Sequence, residues 1–196
     1  MWQGIGSLFQ GGHVAIQTTV EGEQIIYPDG RAQDTIIQAG GNQWVQDNGR
    51  AEGTTIREGG EQLILRNGRA ERTTIYSCGR QWVSSNGTVE HTTILKGGRM
   101  RFWSAGRIRG IDNFGLVEAT DSVMNTIEDY IGRSGSVLKV EPLAYIVSLL
   151  VYPVATLERN TVLEANAKII LPSLTSTLTM RDNVVSHGGI IKIAEA

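Results

Sequence analysis

The chain has 196 residues, with 18 Lys plus Arg against 20 Asp plus Glu for a net charge of -2, so it carries no overall basic excess to hold nucleic acid or an anionic membrane surface. Its length supports a core that needs no staples, and its single cysteine, Cys78, excludes an intrachain disulfide and a cysteine-based zinc site. Glycine is abundant at 24 residues and proline scarce at 4, a balance that fits many tight turns between extended segments better than a disordered linker.

Residues 1–13 lack the positive start and apolar run of a secretory signal and are expected to form a cap or irregular lead-in. From Val14 to Gly110 an internal repeat dominates. Gly22, Gly41, Gly60, Gly79 and Gly98 stand 19 residues apart, and so do Gly30, Gly49, Gly68, Gly87 and Gly106. The same period carries Gln24, Gln43, Gln62 and Gln81, then Ile26, Val45, Ile64, Val83 and Phe102. It also carries Ala32, Ala51 and Ala70, followed by Thr35, Thr54, Thr73 and Thr92, and then Ile37, Ile56, Ile75 and Ile94. Each copy holds two short β-branched runs cut by Gly-Gly or Asn-Gly, and neither run is long enough for a helix.

Short strands that cannot bury their apolar columns alone must stack copy on copy. The pattern therefore predicts an all-β fold, a right-handed parallel β-helix with 19-residue coils and one file of side chains inside. Each coil is expected to advance about 4.8 Å, the inter-strand spacing. The Gln and Thr columns are then placed to hydrogen-bond along the axis. Arg31, Arg50, Arg69 and Arg107 form a file beside Glu52, Glu71 and Glu90, so that unlike charges offset like ones; as a solvated face such pairs contribute ~0–1 kcal/mol each.

Past Gly110 the register lapses: the 19-residue period calls for glycine at position 117, where Val117 stands. Strand-like pieces persist at 134–142, 160–171, 176–185 and 188–196, so 111–196 reads as an irregular continuation of the β-helix. Its run Leu143 to Ala155 is apolar, too short to span a bilayer as a helix, and as an exposed strand would invite docking.

The segments TIIQAGGNQWVQDNGRAEGT, TIREGGEQLILRNGRAERT and TIYSCGRQWVSSNGTVEHT resemble the 19-residue AIDA-type repeats of self-associating autotransporter adhesins over about half of the chain. The resemblance implies a β-helical passenger exported through a C-terminal outer-membrane barrel and held on the surface of Gram-negative bacteria. It implies aggregation, biofilm formation or attachment to a host receptor or glycan, with repeat hydroxyls open to glycosylation. The sequence departs from the pattern in having neither a signal sequence nor a following barrel, and Cys78 stands where the first glycine of a Gly-Gly pair is expected.

Three sets of side chains are candidates. Arg50, Glu52, Arg69, Glu71 and Glu90 make a repeated charged face for binding a second copy or a surface. Trp44 and Trp82, adjacent in sequence to the inward column, point outward, either to receive a sugar ring or partner or to shield a corner. Thr54, Thr55, Thr73, Thr74, Thr92 and Thr93 are glycosylation candidates by the resemblance, or supports of strand and ladder. No catalytic residue, cofactor or metal ligand is expected. The acids Asp112, Asp121, Glu128 and Asp129 lack a calcium-loop spacing, and His13, His91 and His187 are scattered. The alternatives are a β-helical stalk with no binding of its own and a polysaccharide-acting enzyme of the same shape.

Overall fold

In a computed structural model the described residues are 7–9, 12–84, 86–103, 105–119, 126–133, 136–140, 145–146, 149–151, 156–158, 168–172, 179–181 and 190–194. Among them every element is a β-strand and the strand pairings are parallel, in one ten-stranded and one sixteen-stranded sheet. One lap shows the plan. Glu23–Ile26 lies in the first sheet; a corner leads to Arg31–Gln33 in the second, and a bend at Asp34 leads to Ile36–Ile37. A further corner at Gly40 and Gly41 returns the chain to Asn42–Val45, which pairs on Glu23–Ile26 with Gln43 over Gln24 and Val45 over Ile26. Ile37 pairs with Ile56, so residues one lap apart do stack as the period requires.

All three corners turn on left-handed residues, but for different sequence reasons. The first uses Asp29, Asn48, Asn67, Asn86 and Ala105, at φ of 62 to 69°. The last uses Gly40, Gly59 and Gly97, with Cys78 taking the same conformation at φ 60°. That costs Cys78 roughly 1 kcal/mol relative to glycine. The middle bend passes through Gln17, Asp34, Gly53, Arg72, His91, Gly110 and Asp129, at φ of 50 to 70°. These residues share no side-chain chemistry. The bend is held by the neighbouring lap, as in Asp34 N–H to Glu52 O at 2.9 Å and His91 N–H to Arg109 O at 2.8 Å.

The glycine that follows the left-handed corner residue has another role. A Cβ on Gly68 would sit 2.2 Å from the Val45 carbonyl oxygen, and one on Gly41 would sit 2.2 Å from that of Val20. Here glycine is required because the lap below passes too close for any side chain.

The interior holds five files rather than one. Ile26 and its equivalents, the Ala32 file and the Ile37 file are apolar and nearly fully buried. The Gln24 and Thr35 files also face inward, because alternation along the first-sheet strand puts Gln24 on the side of Ile26. Their polar groups bond to one another. Gln43 Nε2 donates to Gln24 Oε1 at 2.6 Å, Gln62 Nε2 to Gln43 Oε1 at 2.6 Å, and Gln81 Nε2 to Gln62 Oε1 at 2.7 Å. Gln24 Nε2 reaches Thr18 Oγ1 at 3.0 Å, and Gln62 Nε2 also lies 3.2 Å from Thr54 Oγ1.

The register does not lapse after Gly110; a corner shortens. Thr93 still pairs with Asp112, but Arg99 pairs with Leu116, so the corner before Leu116 has two residues fewer than its predecessor. Gly115, not residue 117, is the equivalent of Gly98, and Val117 pairs with Met100 inside the core. The first described lap is short by the same amount, since Val14 pairs with Arg31 and Ser7 with Gln24. The lead-in therefore already contributes a first-sheet strand at Ser7–Phe9.

Beyond this point Val137–Val140, Thr156–Glu158 and Thr179–Arg181 extend the first sheet. Lys168–Pro172 and Ile190–Ala194 extend the second. They fall on or beside the strand-like pieces at 134–142, 160–171, 176–185 and 188–196, whose remaining residues lie outside those described. Within the apolar run from 143 to 155, Leu149–Val151 pairs with Thr126–Gly132 on one side and Lys168–Pro172 on the other. The backbone of Leu149–Val151 is thus a rung of the coil and not an exposed edge, while Tyr145–Ile146 pairs with Thr126–Gly132. Residues 143–144, 147–148 and 152–155 lie outside those described.

Candidate interaction face

The strands Arg31–Gln33, Arg50–Glu52, Arg69–Glu71 and Thr88–Glu90 stack in register on the second sheet. Their central residues, Ala32, Ala51, Ala70 and Val89, point into the core, which turns the flanking charged residues outward. Arg50, Glu52, Arg69, Glu71 and Glu90 are therefore brought together on one face. Arg groups stand over Arg groups and Glu groups over Glu groups, an arrangement that repels on its own. It is offset diagonally. Arg50 Nη2 donates to Glu71 Oε2 at 2.8 Å, and Arg69 Nη2 donates to Glu90 Oε2 at 2.7 Å, each reaching the next lap. Arg69 Nε also donates to Glu71 Oε1 of its own lap at 2.7 Å.

Glu71 is the centre of this lattice and is only 8% exposed. Burial works to raise its carboxyl, but the hydrogen bonds and charges of Arg69 and Arg50 outweigh it and hold the group below its ordinary value. The more exposed pairs contribute about 0.2–1 kcal/mol each, so the lattice is chiefly a charge pattern and only secondarily a source of stability. Glu52 pairs with Arg72, a partner that the sequence did not mark, because Arg72 sits in the middle bend where no residue type repeats. Arg133, which follows the strand Thr126–Gly132 at the start of the last corner, pairs with Asp112 and was likewise unmarked by the sequence.

Trp44 and Trp82 lie elsewhere, on the outer side of the first sheet, half-buried. Their column runs Ile25, Trp44, Leu63, Trp82, Arg101, so Leu63 separates the two indoles. Trp82 meets Trp103 edge to face, with centroids 6.0 Å apart and planes at 77°. Beside it Arg80 Nη1 donates to Glu61 Oε1 at 2.9 Å. The charged lattice and the indoles are thus two faces and not one site.

The threonines divide. Thr55, Thr74 and Thr93 start second-sheet strands with their side chains outward and half-buried. Thr54, Thr73 and Thr92 face inward at 1% exposure, and the hydroxyls of Thr54 and Thr73 lie within reach of the glutamine ladder. Adjacent threonines in the sequence gave no means of telling the two apart, since the left-handed bend just before them resets the alternation. Among the described residues no group of three or more His, Cys, Asp and Glu is placed to hold a metal ion, and no helix is long and apolar enough to cross a membrane.

Residues 11–60 match the family model described as adhesin of bacterial autotransporter system, probable stalk. No curated protein matches the chain by sequence. Among solved structures, the crystal structure of a TibC-catalysed hyper-glycosylated TibA fragment superposes with a TM-score of 0.59, covering 96% of this chain and 82% of that one at 18% identity. At that identity the likeness is one of fold.

Proposed function

We propose that this AIDA-type solenoid is a passenger segment of a surface adhesin that joins cells through its repeated charged face, with a barrel translocator and a Gram-negative outer membrane as its setting. The observation that carries the reading is the Arg50, Arg69, Glu71, Glu90 lattice, in which one bonding motif recurs from lap to lap. A second copy laid along that face offers Glu where the first offers Arg. Contacts that are weak singly then add along the axis. The autotransporter adhesin match over residues 11–60 supports this reading. The outward Thr55, Thr74 and Thr93 are the hydroxyls a glycosyltransferase would reach, consistent with the hyper-glycosylated state of the TibA fragment.

The test is association of purified chains and clumping of beads coated with them. Arg50→Glu with Arg69→Glu should abolish clumping, and mixing that variant with Glu71→Arg, Glu90→Arg chains should restore it. Chains that stay monomeric at high concentration, on beads that never clump, would sink self-association. The family's description as a probable stalk favours a second reading, a spacer that displays another domain; there the charge reversals leave clumping and its salt dependence unchanged.

A further inference from the structure

A groove of about 600 Å³ runs along the axis beside the first corner, lined by Gly12, Val14, Asp29, Gly30, Arg31, Asn48, Arg50, Asn67 and Arg69. Its character differs from that of the lattice it adjoins. Arg31, Arg50 and Arg69 line it on successive rungs, about 4.8 Å apart. Glu71 and Glu90 are already bonded to Arg50 and Arg69, but Arg31 has no carboxylate partner among the described residues. The acid that the lap rule would give Arg31, Glu52, is taken by Arg72, and the acid file is Gln33 on the lap of Arg31 itself. Arg50 Nε is buried with no acceptor. Buried donors without partners are uncommon in folded proteins and mark a place where an acceptor is missing.

We infer that this groove binds an extended acidic sugar chain, with a sugar carboxylate on Arg31 and the ring hydroxyls on Asn48, Asn67 and Asp29. The lining selects this chemistry. Guanidinium groups hold a carboxylate in bidentate fashion, and the two asparagine amides donate to and accept from hydroxyls. Asp29 accepts hydrogen bonds from hydroxyls and repels a strand of closely spaced phosphates. Among the described residues Arg31 stands without an ion-pair partner over three rungs while Asp29 of the same lining balances its charge, which suits a polymer with sparse charge rather than a nucleic acid. The inference goes beyond self-association and stands on different atoms, for it needs Arg31 and leaves Glu71 and Glu90 in place.

The experiment titrates the full chain, at a concentration where sedimentation shows monomers, with hexameric oligogalacturonate and with its neutral methyl ester. Binding of the acid and not the ester is expected, with a rise in Tm on saturation. Arg31→Ala should weaken binding by roughly tenfold, the effect of losing one charge-assisted contact. Arg31→Lys should recover part of that, and Arg80→Ala on the other sheet should change nothing. Equal binding of the ester, an unaffected Arg31→Ala, or tighter binding of an oligonucleotide of equal charge would each overturn the proposal. Because the titration uses monomers, its failure leaves the self-association reading intact, and failure to clump leaves the groove intact.

Discussion

In the laps from Gln24 to Gln81 the interior sets an amide ladder among its apolar files, whereas from Met100 onward the space of the Gln and Thr files is filled by Met100, Ile111, Val117 and Tyr130. The exchange occurs in one step, since Met100 pairs directly over Gln81. Its cost is visible at the boundary, where Gln81 Oε1 and Thr92 Oγ1 are buried without partners. A polar ladder inside a solenoid satisfies each amide only while a like residue lies on the next rung; where the file stops, its last acceptor is left bare. On the far side the polar groups bond in small local sets. Asn113 Nδ2 donates to the Tyr130 hydroxyl at 2.7 Å and Asn113 Oδ1 accepts from Gly115 N–H at 2.8 Å. Burial pushes the Tyr130 phenol well above the ordinary tyrosine range.

This contrast is most severely tested in mid-ladder. Gln62→Leu strands the amide of Gln81 above and an acceptor of Gln43 below, and should destabilise by about 2–4 kcal/mol in urea denaturation; a loss under about 1 kcal/mol would mean the ladder contributes little. Tyr130→Phe removes one bond to Asn113 and should cost about 1–2 kcal/mol by the same measurement. Gln81→Met, which moves the boundary down one rung and leaves Gln62 Oε1 as the end acceptor with only Thr73 Oγ1 at 3.5 Å, should stay within about 1 kcal/mol of the parent protein. The smallest effect belongs to the outer face. The lowered Glu71 carboxyl contributes stability that is complete above its ordinary value of 4.5 and fades as pH falls through the folded-state value. Urea midpoints along an acid series should show that slope in the parent and a flatter one in Glu71→Gln.

The strands and their stacking were legible in the sequence because Gly, Gln, Ala and Ile recur at positions where each lap meets the same steric and polar surroundings. The charged lattice was legible for the same reason, down to the pairing of an Arg file with a Glu file. What escaped is what happens at corners. The middle bend tolerates Gln, Asp, Gly, Arg and His, because its conformation is held by its own amides donating to carbonyls of the next lap. The bend also hid which member of each Thr-Thr pair faces inward. The two-residue deletion before Leu116 shifted the numbering without shifting the rungs, so a fixed period looked for glycine at residue 117 when it lay at Gly115. The inward facing of the Gln and Thr files escaped for another reason: an amide ladder along the axis can form on either side of a sheet, and only the strand alternation with Ile26 and its equivalents puts it inside.

The shortened corner at Phe114 and Gly115 has a practical side. A shaft whose rungs keep their spacing while the connection between them gains or loses residues is a natural display scaffold. A foreign peptide spliced between Lys96 and Gly97 should project sideways from the rod without altering the pitch above or below it. Antibody access to such an epitope would then report on how densely the rods pack on a surface.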